Sequence, residues 1–128
     1  MIRAFTPAGI HPGFGRYHQA VEVPADRRLL VLSGLLGIDA AGHVPDGCAA
    51  QCRLIFDAID RCLEQAGLGR ADLVQLRSFL VEPADRAAYM QERDAFVVDP
   101  APASTLLFVK ALAAPEFRVE IEAMAAGR

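Results

Sequence analysis

From Phe117 to Ala125 the chain alternates without a break, with Val119, Ile121 and Ala123 on one side and Arg118, Glu120 and Glu122 on the other. Only an extended strand, whose side chains point to opposite faces in turn, sorts such a segment into one apolar and one polar face. A strand of this kind cannot stand alone. Its apolar face requires partners in a sheet and a second layer packed on that sheet. With 128 residues the chain has material for one domain over 1–128 and not for a second core.

The remaining pattern supplies the partners. Short strands are predicted at Ile2–Thr6 and Tyr17–Val23, separated by a loop rich in Pro and Gly (Pro7–Gly15). Leu29–Leu35 (LLVLSGL) is apolar on both faces and suits a central strand. Gly34 within it marks a bulge or a close approach to the backbone. Asp46 is a suitable cap for a helix over Cys48–Ala66, which Gly67 is placed to end in the left-handed conformation. Leu73–Val81 reads as a strand and Asp85–Phe96 as a second helix with Asp85 as its cap. A short strand follows at Thr105–Val109. The order β-β-β-α-β-α-β-β predicts an α+β fold, a single mixed sheet carrying two amphipathic helices on one face. The other sheet face is left bare, and a small domain should not expose so apolar a surface. The chain is therefore expected to oligomerise through that open face.

Composition narrows the partners. Thirteen basic residues stand against sixteen acidic ones, a formal charge of −3. Lys110 is the only lysine and the arginines are scattered, so no basic stripe offers nucleic acid or a membrane surface the phosphate neutralisation that drives such binding. The longest apolar run, Leu29–Ile38, falls short of the ~20 residues that span a bilayer. The opening MIRAFTPAGI has no apolar core of a secretory signal, so a cytoplasmic location is expected.

Cys48, Cys52 and Cys62 are too few and wrongly spaced for a disulfide framework. On one helix they fall within a stripe about 80° wide together with Ile55 and Ile59, as small core-facing groups. A metal site would want further His or Cys nearby.

Several segments also carry a resemblance. VLSGLLGID (Val31–Asp39), LEQAGL (Leu63–Leu68), VEPADRAAY (Val81–Tyr89), PASTLLFV (Pro102–Val109) and VEIEAMA (Val119–Ala125) occur in this order over nearly the whole chain. In this the sequence resembles the YjgF/RidA family. The resemblance implies a chorismate-mutase-like fold assembled as a homotrimer, with the sheets forming a central barrel, the helices outside and three ligand clefts between subunits. The best-known activity of that family is cofactor-independent hydrolysis of enamines and imines such as 2-aminoacrylate, a deaminase reaction giving an oxo acid and ammonia. Other members are described as ribonucleases or translation inhibitors, or only as ligand-binding proteins.

Residue by residue, the resemblance makes Tyr17 the cleft tyrosine, gives Ser33 and Gly34 the ligand-facing backbone, and makes Glu120 the carboxylate that holds the attacking water. It also breaks at several places. Ser104 stands where the deaminase motif has the arginine that binds the substrate carboxylate. Leu35 stands where the family has glutamine, Met90 where an asparagine is common, and Leu106 where a cysteine is common. A pocket that has lost a guanidinium fork and gained Leu and Met is expected to prefer a less anionic, more apolar metabolite.

Each site residue also has a plainer reading. Spacing alone makes Glu120 part of a solvated polar face and Tyr17 a strand residue with a buried ring. Ser104 and Thr105 follow a Pro-rich turn, where hydroxyls commonly cap backbone groups. Arg16 is an exposed loop arginine or a replacement cation beside Tyr17. His11 and His18 read as surface histidines. The expected function is a homotrimer with small-metabolite pockets between subunits, an enamine or imine hydrolase of altered preference in which Glu120 and Tyr17 are catalytic and Ser33, Gly34, Leu35, Met90, Ser104, Thr105 and Arg16 bind ligand. The alternative is a non-catalytic ligand-binding or regulatory trimer.

Overall fold

A computed structural model describes residues 1–128. Its elements are β1 (Arg3–Phe5), β2 (Ala20–Glu22), β3 (Arg28–Val31), β4 (Leu35–Leu36), α1 (Cys48–Gln65), β5 (Leu73–Leu80), α2 (Arg86–Phe96), β6 (Ala103–Phe108) and β7 (Val119–Gly127). β1 and β2 form a separate antiparallel ribbon. The main sheet has the order β3-β7-β5-β6, with β4 also paired to β7 on the β3 side. The β5–β6 pair is parallel and the others antiparallel, so the sheet is mixed as expected.

Both helices pack on one face. Cys48, Gln51, Cys52, Ile55, Phe56, Ile59 and Leu63 are the buried side of α1, and they meet Val119, Ile121, Ala123 and Ala125 of β7. The Phe56 and Phe96 rings stack at 4.4 Å where the two helices touch. The alternation seen in the last strand therefore does what its period requires, sending every second residue into the core. The end of α1 also follows the sequence. Gly67 takes φ +73°, and the N–H groups of Gly67 and Leu68 donate to the carbonyls of Glu64 and Leu63, closing the helix in a Schellman motif.

Four local expectations are corrected. The run from Leu29 to Leu35 is not central. It is the sheet edge, interrupted at residues 32–34 into β3 and β4, and β7 and β5 occupy the middle. Its two-faced apolarity comes from Leu29 and Val31, which lie 59% and 62% exposed on the open face and not under a second layer. Asp46 does not cap α1. Gly47, with φ +90°, takes that place, and no side chain caps the helix. Asp85 stands at the start of α2, but its carboxylate is taken by Arg118 and caps nothing. Of the segment Tyr17–Val23 only Ala20–Glu22 is a strand, while His18 bridges in parallel to Ala103.

The three cysteines are free; Cys48 and Cys52 are buried with their Sγ atoms 3.8 Å apart. No helix is long and apolar enough to cross a membrane.

Candidate functional site

On the open face of the sheet, strand register builds two rows. Thr105, Arg77 and Glu122 lie side by side across β6, β5 and β7, and Leu107, Phe79, Glu120 and Leu36 make the next row, ending on β4. In the first row Glu122 faces Arg77 at 3.6 Å. In the second, Glu120 has apolar neighbours on both sides. It is half-buried and has neither a hydrogen bond nor an ion pair from any side chain. Its carboxylate rests against Gly34, in the break between β3 and β4. That break is held by the backbone N–H of Leu32, which donates to Ala123 at 2.9 Å. Ser33, beside Gly34, is exposed. Arg118 does not belong to this polar face: its guanidinium leaves for Asp85, with Nε and Nη2 donating to the two carboxylate oxygens at 2.9 and 3.0 Å.

A second cluster forms on the helix side of β6. Ser104 pairs with Leu76, a core residue, so its hydroxyl points beneath α2. There it meets Arg93, whose Nη1 donates to Ser104 Oγ at 3.4 Å. The Arg93 guanidinium lies between the Tyr17 and Tyr89 rings, 5.1 and 5.6 Å from their centroids. The Tyr89 hydroxyl is hydrogen-bonded to Ser78 Oγ. Burial pushes the Tyr89 phenol above the ordinary tyrosine range, with the Ser78 bond opposing. Tyr17 is fixed from the other side, its hydroxyl accepting from the Phe14 N–H at 3.0 Å. Arg16 anchors the same loop on α2: its backbone N–H donates to Asp94 Oδ1 at 3.2 Å and its Nη1 to the Asp94 carbonyl at 3.0 Å.

The residues singled out in the sequence thus divide into two sets. Glu120, Gly34, Ser33 and Thr105 belong to the open-face side; Tyr17, Arg16 and Ser104 gather at α2. Leu35 and Met90 pack against the core. Ser104 is two strands away from Glu120, about 10 Å across the ladder, and on the opposite face. One chain does not bring them together.

Arg93, Tyr89 and Asp94 were missed in sequence. The available sign was positional. Tyr89, Arg93 and Phe96 stand at i, i+4 and i+7 of α2, so an arginine occupies the helix's core-facing stripe, where a charge is out of place without a partner.

Chemically, the open face offers a carboxylate in apolar surroundings with its proton-accepting capacity unspent, and α2 offers a fixed guanidinium with three hydroxyls around it. No group of three or more His, Cys, Asp or Glu side chains is placed to hold a metal ion.

Comparison with known proteins finds relatives of this chain and of its fold. The family model described as Endoribonuclease L-PSP matches residues 10–127. A RutC family protein of Haemophilus influenzae is 34% identical over 91 residues, 70% of this chain and 65% of the relative. A second RutC family protein, from Aquifex aeolicus, is 36% identical over 69 residues, 53% of each. The matched segments therefore span between half and two thirds of these relatives. Among solved structures, the Rid-family protein YyfB of Yersinia pestis, of unknown function, superposes with a TM-score of 0.88 at 32% identity over 97% of both chains. RidA of an Antarctic Psychrobacter gives 0.71 at 31% identity, covering 88% of this chain and 89% of its own. The YjgF gene product of E. coli gives 0.72 at 26%, covering 98% and 99%.

Proposed function

The chain belongs to the YjgF/RidA family, whose model carries the description Endoribonuclease L-PSP, and from that premise we propose that it hydrolyses the C–N bond of small enamines or imines in pockets shared between the subunits of a homotrimer. The observation that carries the reading is the unpartnered Glu120 carboxylate on an apolar, open sheet face, with Tyr17 and Ser104 on the far side of the same sheet. A pocket that uses both sets needs a second copy of the chain. Exposed Leu29, Val31 and Leu107 supply an apolar surface for that contact.

In this reaction an enamine first takes a proton on carbon and gives one up from nitrogen, becoming its tautomeric imine. Water then adds to the imine carbon while Glu120 accepts one of its protons and passes it to the nitrogen, giving the carbinolamine. The C–N bond breaks as the hydroxyl proton moves to nitrogen, and ammonia leaves a carbonyl compound behind. Tyr17 holds the substrate and the Gly34 backbone orients it; positioning and preorganised donors supply the rate. Ser104 in place of an arginine shifts the preference away from the smallest imino acids. A ribonuclease reading is disfavoured by the net charge of −3.

The test is ammonia release from a panel of carboxylated and uncharged enamines, with light scattering on the same sample. Turnover by a trimer, reduced at least tenfold by Glu120→Gln, is expected. A monomer, or a trimer with no turnover on any substrate, overturns the hydrolase reading. A trimer that binds ligand without turnover instead supports the second reading, a non-catalytic binding protein, which the core placement of Leu35 and Met90 favours.

A further inference from the structure

The charges on the open sheet face do not balance. Arg77 faces Glu122 at 3.6 Å and neutralises it, whereas Glu120, on the same face and two residues along β7, has no cation. Arg77 is the diagonal neighbour of Glu120, roughly 7–8 Å away across the ladder. Its guanidinium nevertheless turns to Glu122 and stands 5.9 Å from the centre of the Phe79 ring. Phe79 is directly opposite Glu120 in register, and Leu36 flanks the carboxylate on the other side. A half-buried carboxylate with apolar groups on both sides is poorly hydrated there, and a bound cation offsets that cost. An aromatic ring beside a carboxylate suits an organic cation in particular, because the ring's negative face and the anion both attract it. The Tyr17 side of the pocket adds no opposing charge. The cation against Tyr17 and Ser104 is Arg93, which Asp94 matches at 3.0 Å, and Asp99 matches Arg16 at 3.4 Å. The one lysine, Lys110, belongs to the loop after β6, where it borders an apolar hollow with Val81, Leu112 and Phe117.

We propose that the ligand is an organic cation, a protonated imine that carries no carboxylate, held by Glu120 against the Phe79 ring. This rests on the hydrolase reading for the pocket and adds the charge of its substrate. The reaction balances with one more proton on nitrogen. Water adds to the iminium carbon as the C=N electron pair moves onto nitrogen, and Glu120 takes a proton from that water and returns it to nitrogen. The C–N bond then breaks as the hydroxyl proton passes to the leaving amine. Iminium and water have become carbonyl and ammonium, so the substrate and one of its products each present a positive charge to the same carboxylate.

The experiment titrates the intact oligomer, by calorimetry, with pyrrolidinium as a stable mimic of a protonated imine, with the uncharged ring cyclopentanone, and with the anion cyclopentanecarboxylate. Wild type is expected to bind pyrrolidinium at least tenfold more tightly than cyclopentanone, and the carboxylate most weakly. Glu120→Gln should abolish the preference for pyrrolidinium and leave cyclopentanone affinity unchanged. Glu122→Gln removes the same charge two residues away and should keep at least a threefold preference, which separates contact with Glu120 from the field of the whole face. Phe79→Leu should lower the preference about threefold through loss of the ring. Binding of none of the three, equal or tighter binding of cyclopentanone or the carboxylate, a preference that survives Glu120→Gln, or one that Glu122→Gln abolishes as fully overturns the inference. Turnover of neutral or carboxylated enamines with no preference for the cation leaves the hydrolase reading standing while this one falls; a Glu120-dependent preference for the cation without turnover of any imine does the reverse.

Discussion

The carboxylate of Glu120 fills the space in which a side chain on Gly34 would begin: a Cβ there would stand 2.9 Å from the carboxyl carbon and closer still to Oε2. The two residues meet because β3 and β4 both pair with β7 and the chain between them passes over Glu120. Gly34→Ala must therefore turn the end of a flexible side chain away. The expected result is a thermal midpoint within a few degrees of wild type and a loss of turnover comparable to that of Glu120→Gln. A normal rate in Gly34→Ala would separate the carboxylate's position from catalysis.

Gly37 gives the opposite outcome. A Cβ there meets the backbone of Gln51, with Cα at 2.7 Å, as well as its side chain, and a helix backbone cannot turn away. Gly37→Ala should cost about 1–3 kcal/mol in urea unfolding. A midpoint equal to that of wild type would mean that the 37–45 loop moves freely relative to α1.

Gln51 is a buried amide with all its main capacity used. Nε2 donates to the carbonyls of Pro45 and Glu116 at 3.0 and 2.9 Å, and Oε1 accepts from the Arg118 N–H at 2.8 Å. It ties the segment entering β7 to α1. Gln51→Leu leaves three backbone groups without partners and should destabilise by about 3 kcal/mol. Gln65→Leu, on the exposed end of the same helix, should change stability by roughly 0.5 kcal/mol or less.

Thiol labelling should distinguish the cysteines. Cys62 is half-buried, whereas Cys48 and Cys52 lie in the core. The hydrogen bond with Cys48 and burial together push the Cys52 thiol far up, away from the reactive thiolate. Iodoacetamide should modify one cysteine under native conditions, identified as Cys62 by mass spectrometry, and all three in denaturant.

Tyr89 sets an alkaline limit. Its folded-state pKa is raised above the ordinary value of 10.0, chiefly by burial, so the unfolded chain ionises first. The stability linked to this group is present in full below about pH 10 and declines as pH rises through the folded-state value. Denaturation midpoints followed upward from pH 9 should fall more steeply for wild type than for Tyr89→Phe. Parallel curves would mean that the phenol is reached by solvent.

Much of the fold was legible because its determinants are local. The period of two in Val119–Ala125, the period of 3.6 in Cys48–Gln65 and the glycine after it each act within a few residues, and each folds as read. The helix caps failed for an equally physical reason. Asp85 is a good cap by type, but Arg118 offered its carboxylate a two-pronged charged partner that two backbone N–H groups do not match. The edge position of Leu29–Leu35 was hidden because an apolar strand reads alike under a helix layer and on a surface kept bare.

The sequence by itself determined the α+β class, the helix-facing and open faces of β7, and a carboxylate at position 120 on the open one. Only the tertiary structure decided that Ser104 turns beneath α2, that Arg93 meets it there, and that Glu120 lies on the other face against Gly34. The reason is that side-chain direction on a strand depends on register, which one residue's slip inverts, and register is set by partners distant in the chain. An arginine at position 93 is plain in the string of letters; which donor it leaves unused follows only from the packing around it.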